Sequence, residues 1–213
     1  MRKIFTPLTL YAILFTVFLY GPVLLMPLFS FNDNTFAVFP LKGFTLKHYA
    51  SMAANGSMLG ALWNSLAVAT IVAVVATAVG LPTAIALTRY RLRGGGAIAA
   101  ALMLPLVVPS IIFAVALLVI LVRILNVELS LLTVGASHVF ICLPFAIMVL
   151  MSRLEGFDKS LEEASRDLGE DGWGTFRRVT LPLAWPAVIS SLLMCFIISF
   201  DEFVMAFFLS GTD

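Results

Sequence analysis

An all-α, polytopic membrane helix bundle is the fold class this sequence predicts, and three observations predict it. Hydrophobic residues fill 61% of the 213 positions and the mean hydropathy is +1.06, above what a domain with half its surface in water carries. Five apolar runs reach the roughly 20 residues a helix needs to cross the hydrocarbon core. Charged residues are only 12% of the chain and cluster between those runs. The formal net charge of +1 gives no basis for nucleic-acid binding. Cys142 and Cys195 lie in separate apolar runs without metal-type spacing, so buried, inert thiols are expected in place of a disulfide or a metal site.

The expected spans are 8–31, 62–88, 97–122, 131–152 and 183–209, within a single transmembrane domain. The first follows MRKIF and is too long for a signal-peptide core of roughly 7–15 residues; no small-residue cleavage pattern follows, so it reads as an uncleaved span. Arg2, Lys3, Arg89, Arg91, Arg93, Arg153, Lys159, Arg166, Arg177 and Arg178 fall on one side, ten of the 13 Lys and Arg, against Lys42, Lys47 and Arg123 on the other. The positive-inside rule makes the ten cytoplasmic and puts the N-terminus in the cytosol.

The first external segment, from Phe31 to Gly60, mixes Phe36, Phe39, Phe44 and Tyr49 with polar residues and is expected to lie along the outer interface. Within it, His48 and Tyr49 are candidates for meeting an external partner or an entering solute, or for anchoring at the interface. Gly56 and Gly60 form one GxxxG, read either as a close-approach site or as chance. The short basic loop at 89–96 anchors two spans. Pro22, Pro27, Pro82, Pro105, Pro109, Pro144 and Pro186 recur in or beside the spans, each freeing a carbonyl and favouring a bend unless neighbours compensate.

Between the fourth and fifth spans lies a polar loop, 153–182. Ser160 and Glu163 have capping-box spacing for a helix start. Leu161, Ala164 and Leu168 share one helical face, and Gly169 suits a left-handed stop. Asp171 caps a second short helix containing Phe176, Arg177, Arg178 and Val179, which runs through Leu181 and Pro182 into the last span. Ala164 and Ser165 are small and would let another protein's surface approach closely.

Glu163-Ala164-Ser165, three residues, Gly169, nine residues, Val179, one residue and Leu181-Pro182 together resemble the EAA loop of permease subunits of binding-protein-dependent ABC importers. Ser165 replaces the usual second Ala and Val179 the usual Ile. SHVFICLPF at 137–145, FDKSLEEASRDLG at 157–169 and SFDEF at 199–203 extend the likeness to the spermidine/putrescine branch, in particular its second permease subunit. The resemblance implies a cytoplasmic helix-turn-helix coupling loop, with Glu162, Glu163, Ala164, Ser165, Gly169, Val179, Leu181 and Pro182 meeting a cytosolic ATPase, Glu163 as the contact and Gly169 as the turn. It also implies a second permease subunit and an extracytoplasmic solute-binding protein as partners, beside membrane lipid. ATP and Mg are expected on the partner ATPase and no cofactor on this chain, which contains no GxxxxGK[ST]. The branch has six spans; five are read here, ending just before Ser210-Gly211-Thr212-Asp213, so a shortened chain is expected.

Asp201 and Glu202 interrupt the last apolar run, where carboxylates cost several kcal/mol unless paired or wet. A polycationic amine is a fitting transient partner; an Arg of a second subunit or a protonated, hydrogen-bonded state are the structural alternatives. Ser199 is their hydrogen-bonding companion. His138 reads as a packed, hydrogen-bonded histidine. Ser110 stands where polyamine permeases of this kind often carry an acid, which leaves amino-acid-like or other organic cations open as substrates. Without HExxH or GxSxG, and with only two histidines far apart, the chain does not read as an enzyme. An ion-coupled carrier or channel suits the acids but leaves the polar loop unexplained.

Overall fold

The computed structural model describes residues 6–34, 36–90 and 92–211. Arg2, Lys3 and Arg91 of the charge census, and Thr212 and Asp213, lie outside the described residues. The chain divides into two compact units, 1–61 and 62–213, with the boundary inside one long helix.

In the first unit, helix α1 (Pro7–Ser30) starts with Pro7 at a position where a missing N–H is harmless, and the Thr6 hydroxyl accepts the Thr9 N–H at 3.3 Å. None of its residues is buried, as suits a span apolar on all sides. The following segment is a folded turn. Asn32 and Phe44 form an isolated antiparallel bridge, and buried Asn32 accepts the Lys42 N–H at 2.9 Å. Helix α2 (Lys47–Ala54) is tied back by the Ser30 and Tyr49 hydroxyls, 2.6 Å apart, and by His48 Nε2 at 3.1 Å from the Asn32 carbonyl. Lys47 pairs with Asp33 and holds its carboxyl below the usual range. His48 and Tyr49 thus bond within their own unit.

The second unit takes in α3 (Gly56–Arg89) from residue 62 on, α4 (Gly95–Met103), α5 (Ser110–Val119), α6 (Leu131–Glu155), α7 (Ser160–Asp167), α8 (Gly172–Thr175), α9 (Leu181–Asp201) and α10 (Phe203–Leu209). Among the described residues, α1, α3, α6 and the continuous helix 172–201 are long and apolar enough to cross a membrane. The expected third span, 97–122, is not one helix: 95–106 and 110–124 meet at 97°. Pro105 and Pro109 bracket the bend, because each lacks a donor and Pro109 forces Val108 out of helical geometry. Pro22, Pro27, Pro82, Pro144 and Pro186 instead sit inside helices that continue through them. The expected fifth span also breaks, at Glu202, between α9 and α10.

Helices α3, α6 and α9 make the core with small residues. Val72, Ala73, Ala76, Cys142, Ala146 and Cys195 form one buried cluster; Ala84, Leu150, Leu154, Ala184, Ala187 and Val188 form a second, at the end nearer the polar loop. Both thiols are free and buried, each 3.5–3.6 Å from the other's backbone carbonyl. The Thr77 and Ser191 hydroxyls bond across α3 and α9 at 2.9 Å, sparing two buried polar groups. Close approach occurs at Gly80, where an added Cβ would stand 3.0 Å from Ala146 Cβ, and not at Gly56 or Gly60, which face open space.

Gly80→Val is therefore expected to cost about 1–3 kcal/mol of stability through overpacking, read as a lower thermal midpoint of the chain in detergent. Gly60→Val should leave that midpoint in place. Equal midpoints for both variants would contradict the packing described.

Candidate coupling loop and intramembrane acids

Helix α7 begins without the expected Ser160–Glu163 capping box. The Asp158 carboxylate accepts the Ser160 N–H at 2.9 Å, so Ser160 is already helical and its hydroxyl sits too far into the first turn to cap. Those hydrogen bonds from Ser160 hold the Asp158 carboxyl below the usual range. The helix ends as expected. Gly169 has φ +91°, its N–H reaches the Arg166 carbonyl at 2.9 Å, and the Glu170 N–H reaches that of Ser165 at 3.2 Å, which is the Schellman pattern. Asp171 then accepts the Gly174 N–H at 2.6 Å and starts α8, which passes through a π-helical turn, Phe176–Thr180, into α9. Glu170 pairs with Arg178 at the surface.

The two faces of α7 differ sharply. Leu161, Glu163, Ala164 and Leu168 point outward, Leu168 with 87% of its surface exposed. Glu162 and Ser165 point inward and are buried. The grouping of Ser165 with Ala164 as an approach surface is thereby corrected: one residue is 100° round the helix from the next, and the Ser165 hydroxyl lies 3.2 Å from that of buried Thr175. Val179 and Leu181 are half-buried, with Leu181 packed on the second core cluster, and Pro182 is exposed in the first turn of α9.

Glu162 occupies the centre of the inner face. Its Oε2 lies 2.9 Å from Arg89 Nε, and its Oε1 accepts the Thr180 hydroxyl at 2.8 Å. The guanidinium carbon stands 4.7 Å from the centre of the Phe157 ring. The ion pair is close but poorly aligned, and none of the three guanidinium nitrogens makes a hydrogen bond among the described residues. A cavity of about 520 Å³ flanks the pair, walled by Leu81, Pro82, Ile85, Trp173 and Phe176 with Arg166 at its polar side. Arg89, Phe157, Thr175 and Thr180 were not expected as site residues. Arg89 reads in the sequence only as a topological charge, although a cation ending one helix and an acid opening the helix of the polar loop form the signal that pairs them.

In the last span, Glu202 has φ −77° and ψ 93°, and its Oε1 accepts the Met205 N–H at 3.2 Å. The carboxylate thus caps α10 at the break, which accounts for an acid at this depth. Asp201, the last residue of α9, is exposed and has no hydrogen-bond or ion-pair partner among the described residues. Ser199 is buried and bonds His138 Nδ1 at 2.9 Å, so His138 is the packed histidine expected, with Nε2 unpartnered among the described residues. Ser110 opens α5 just past the bend, with no side-chain hydrogen bond among the described residues. The structure brings Ser199 and Glu202 to one crevice with His138 and leaves Asp201 facing outward. No group of His, Cys, Asp and Glu among the described residues is arranged to hold a metal.

Residues 76–212 match the family model described as the binding-protein-dependent transport system inner membrane component. The chain is 38% identical over 194 residues to the spermidine/putrescine transport system permease protein PotC of Escherichia coli strain K12, covering 91% of this chain and 73% of that protein. It is 37% identical over 204 residues to the protein of the same name from Haemophilus influenzae, covering 95% and 79%. The putrescine transport system permease protein PotI of Escherichia coli strain K12 is 34% identical over 200 residues, covering 91% and 71%. On this similarity, which takes in the polar loop and the last span, the chain belongs to the family of binding-protein-dependent transport system inner membrane components, a multi-pass transport permease subunit of the inner membrane.

Proposed function

We propose that the chain is the permease subunit of an ATP-driven importer of polyamines, moved through α7 by a separate cytosolic ATPase. The observation that carries this reading is the outward face of α7, where Leu161, Ala164 and Leu168 form an apolar stripe on a short helix that one tight turn at Gly169 joins to 172–201, the helix carrying Asp201. A solvated loop gains nothing by exposing Leu168; a helix seated in a groove of a partner does. Glu163 stands on the rim of that stripe as its charged contact. ATP and Mg are assigned to the partner ATPase, since this chain carries no phosphate-binding loop. A second permease subunit completes the pathway and an extracytoplasmic binding protein delivers the solute. The N-terminus is assigned to the cytosol.

The substrate class follows from Asp201. An exposed carboxylate at the C-terminal end of α9 adds its charge to the partial negative charge of the helix end, which favours an ammonium group. The names of the spermidine/putrescine and putrescine permeases support the same class. Ser110, in place of the acid often found there in the resembling permeases, favours as a second reading a smaller or less highly charged organic cation.

In vesicles holding the assembled transporter and its binding protein, Asp201→Asn should slow putrescine or spermidine uptake about tenfold or more, the scale of one lost charge-assisted contact. Unchanged kinetics would leave Asp201 a structural residue. Leu168→Asp should release the ATP-binding subunits in co-purification without loss of membrane insertion, and retention of those subunits would remove α7 as their contact. Uptake that persists with a catalytically inactive ATPase would favour the ion-coupled carrier.

A further inference from the structure

We propose that the Arg89–Glu162 ion pair is a latch that locks α7 to the cytoplasmic end of α3, so that a push on α7 moves α3 and α9 together. The proposal rests on the reading of α7 as the ATPase contact and adds a second route from it into the membrane.

Helix α7 buries no apolar side chain; its only buried residues are Glu162 and Ser165. Polar contacts therefore set its position. Ser165 reaches Thr175, ten residues along the same loop, and this bond ties the loop only to itself. Glu170–Arg178 is likewise within the loop and exposed. Among the described residues of α7, Glu162 is the one that pairs with α3, through Arg89, while its other oxygen holds Thr180 at the foot of α9. One carboxylate thus joins three elements. Both charged side chains are about nine-tenths buried, at 9% and 10% exposure, so water does not screen the pair as it does at the surface. Phe157, just before α7, stacks on the same guanidinium and extends the joint to the turn between α6 and α7.

The adjoining cavity of about 520 Å³ leaves the space between α3 and the loop incompletely packed. Little apolar contact would hold α7 against α3 once the pair is broken. The pair's loss thus frees α7 to move relative to α3 while the covalent route into α9 remains. Arg89 is on this account a positioning residue, acting through α7 and touching neither solute nor nucleotide.

The test uses the assembled transporter with its ATP-binding subunits, carrying spin labels at the exposed positions 90 and 167 as Tyr90→Cys and Asp167→Cys. With the pair intact, the distance distribution between the labels should be narrow and the same with and without ATP. Arg89→Ala should broaden it and lower the solute moved per ATP hydrolysed about tenfold, while Arg89→Lys, which keeps the charge, should retain the narrow distribution and most of the coupling. Should Arg89→Ala fail to accumulate, Glu162→Gln replaces it, since the amide oxygen still accepts from Thr180 and only the charge is lost. A distance that changes by about one helical turn, ~5 Å, between nucleotide states with the pair intact overturns the latch, as does Arg89→Ala with unchanged distance and coupling. If Leu168→Asp releases the ATPase while Arg89→Ala is neutral, the latch alone fails; if Leu168→Asp retains the ATPase, the docking reading fails.

Discussion

A largely buried charged pair constrains the polar-loop end of this chain. Arg89 and Glu162 stand 2.9 Å apart with nearly all of both side chains buried, and the other two ion pairs among the described residues are exposed. Removing water from two charges costs several kcal/mol each, and losing one partner of such a pair costs about 3–5 kcal/mol because the other is left buried and alone. Exposed pairs such as Glu170–Arg178 contribute about 0–1 kcal/mol. The geometry shows how the cost is met: Thr180 donates to the carboxylate and the Phe157 ring receives the guanidinium. With those contacts in place, Ser165 is turned inward and the apolar stripe of α7 outward.

Above this joint the packing is close and apolar. Helices α3, α6 and α9 meet through Ala73, Ala76, Gly80, Ala84, Ala146, Ala184 and Ala187, residues small enough for backbones to approach without a solvent-driven hydrophobic effect between helices. Thr77–Ser191 and His138–Ser199 add hydrogen bonds where an unpaired polar group would be costly. The closest packing among the described residues is therefore in the three-helix core. Within the apolar runs of the second unit, the described residues depart from α-helix at the bend at Pro105–Pro109, the π-helical turns 120–124 and 176–180, and the break at Glu202. The last two lie at opposite ends of α9, one joining it to the polar loop and the other beside Asp201.

Much of this was legible in the sequence because it rests on local chemistry. Apolar run length pointed to α1, α3, α6 and the helix 172–201, Gly169 stopped α7 in a left-handed turn, and Asp171 capped α8, each from residues near one another along the chain. What escaped depends on contacts distant along the chain. The inward turn of Glu162 and Ser165 is decided by Arg89 and Thr175, and nothing in the spacing of 160–169 distinguishes an inner from an outer face when both carry small or charged residues. The Ser160–Glu163 box gave way to Asp158 because two competing caps stood two residues apart. The bend in the third span was signalled by two prolines four residues apart, but prolines elsewhere in the chain sit inside continuous helices, so proline alone does not tell a bend from a tolerated residue. Glu202 read as a solute ligand because its use as a helix cap requires knowing that the helix breaks there.

The central claim is that α7 offers its Leu161–Ala164–Leu168 face, and not its Glu162–Ser165 face, to the ATPase and passes the resulting motion into the membrane. Positions 164 and 165 test it most directly, since neighbours in sequence lie on opposite sides of that boundary. In the assembled transporter, Ala164→Cys should cross-link to the ATP-binding subunit through a short thiol-reactive linker in a nucleotide-dependent yield, while Ser165→Cys should give none. Equal cross-linking from both positions, or from 165 alone, would contradict the account.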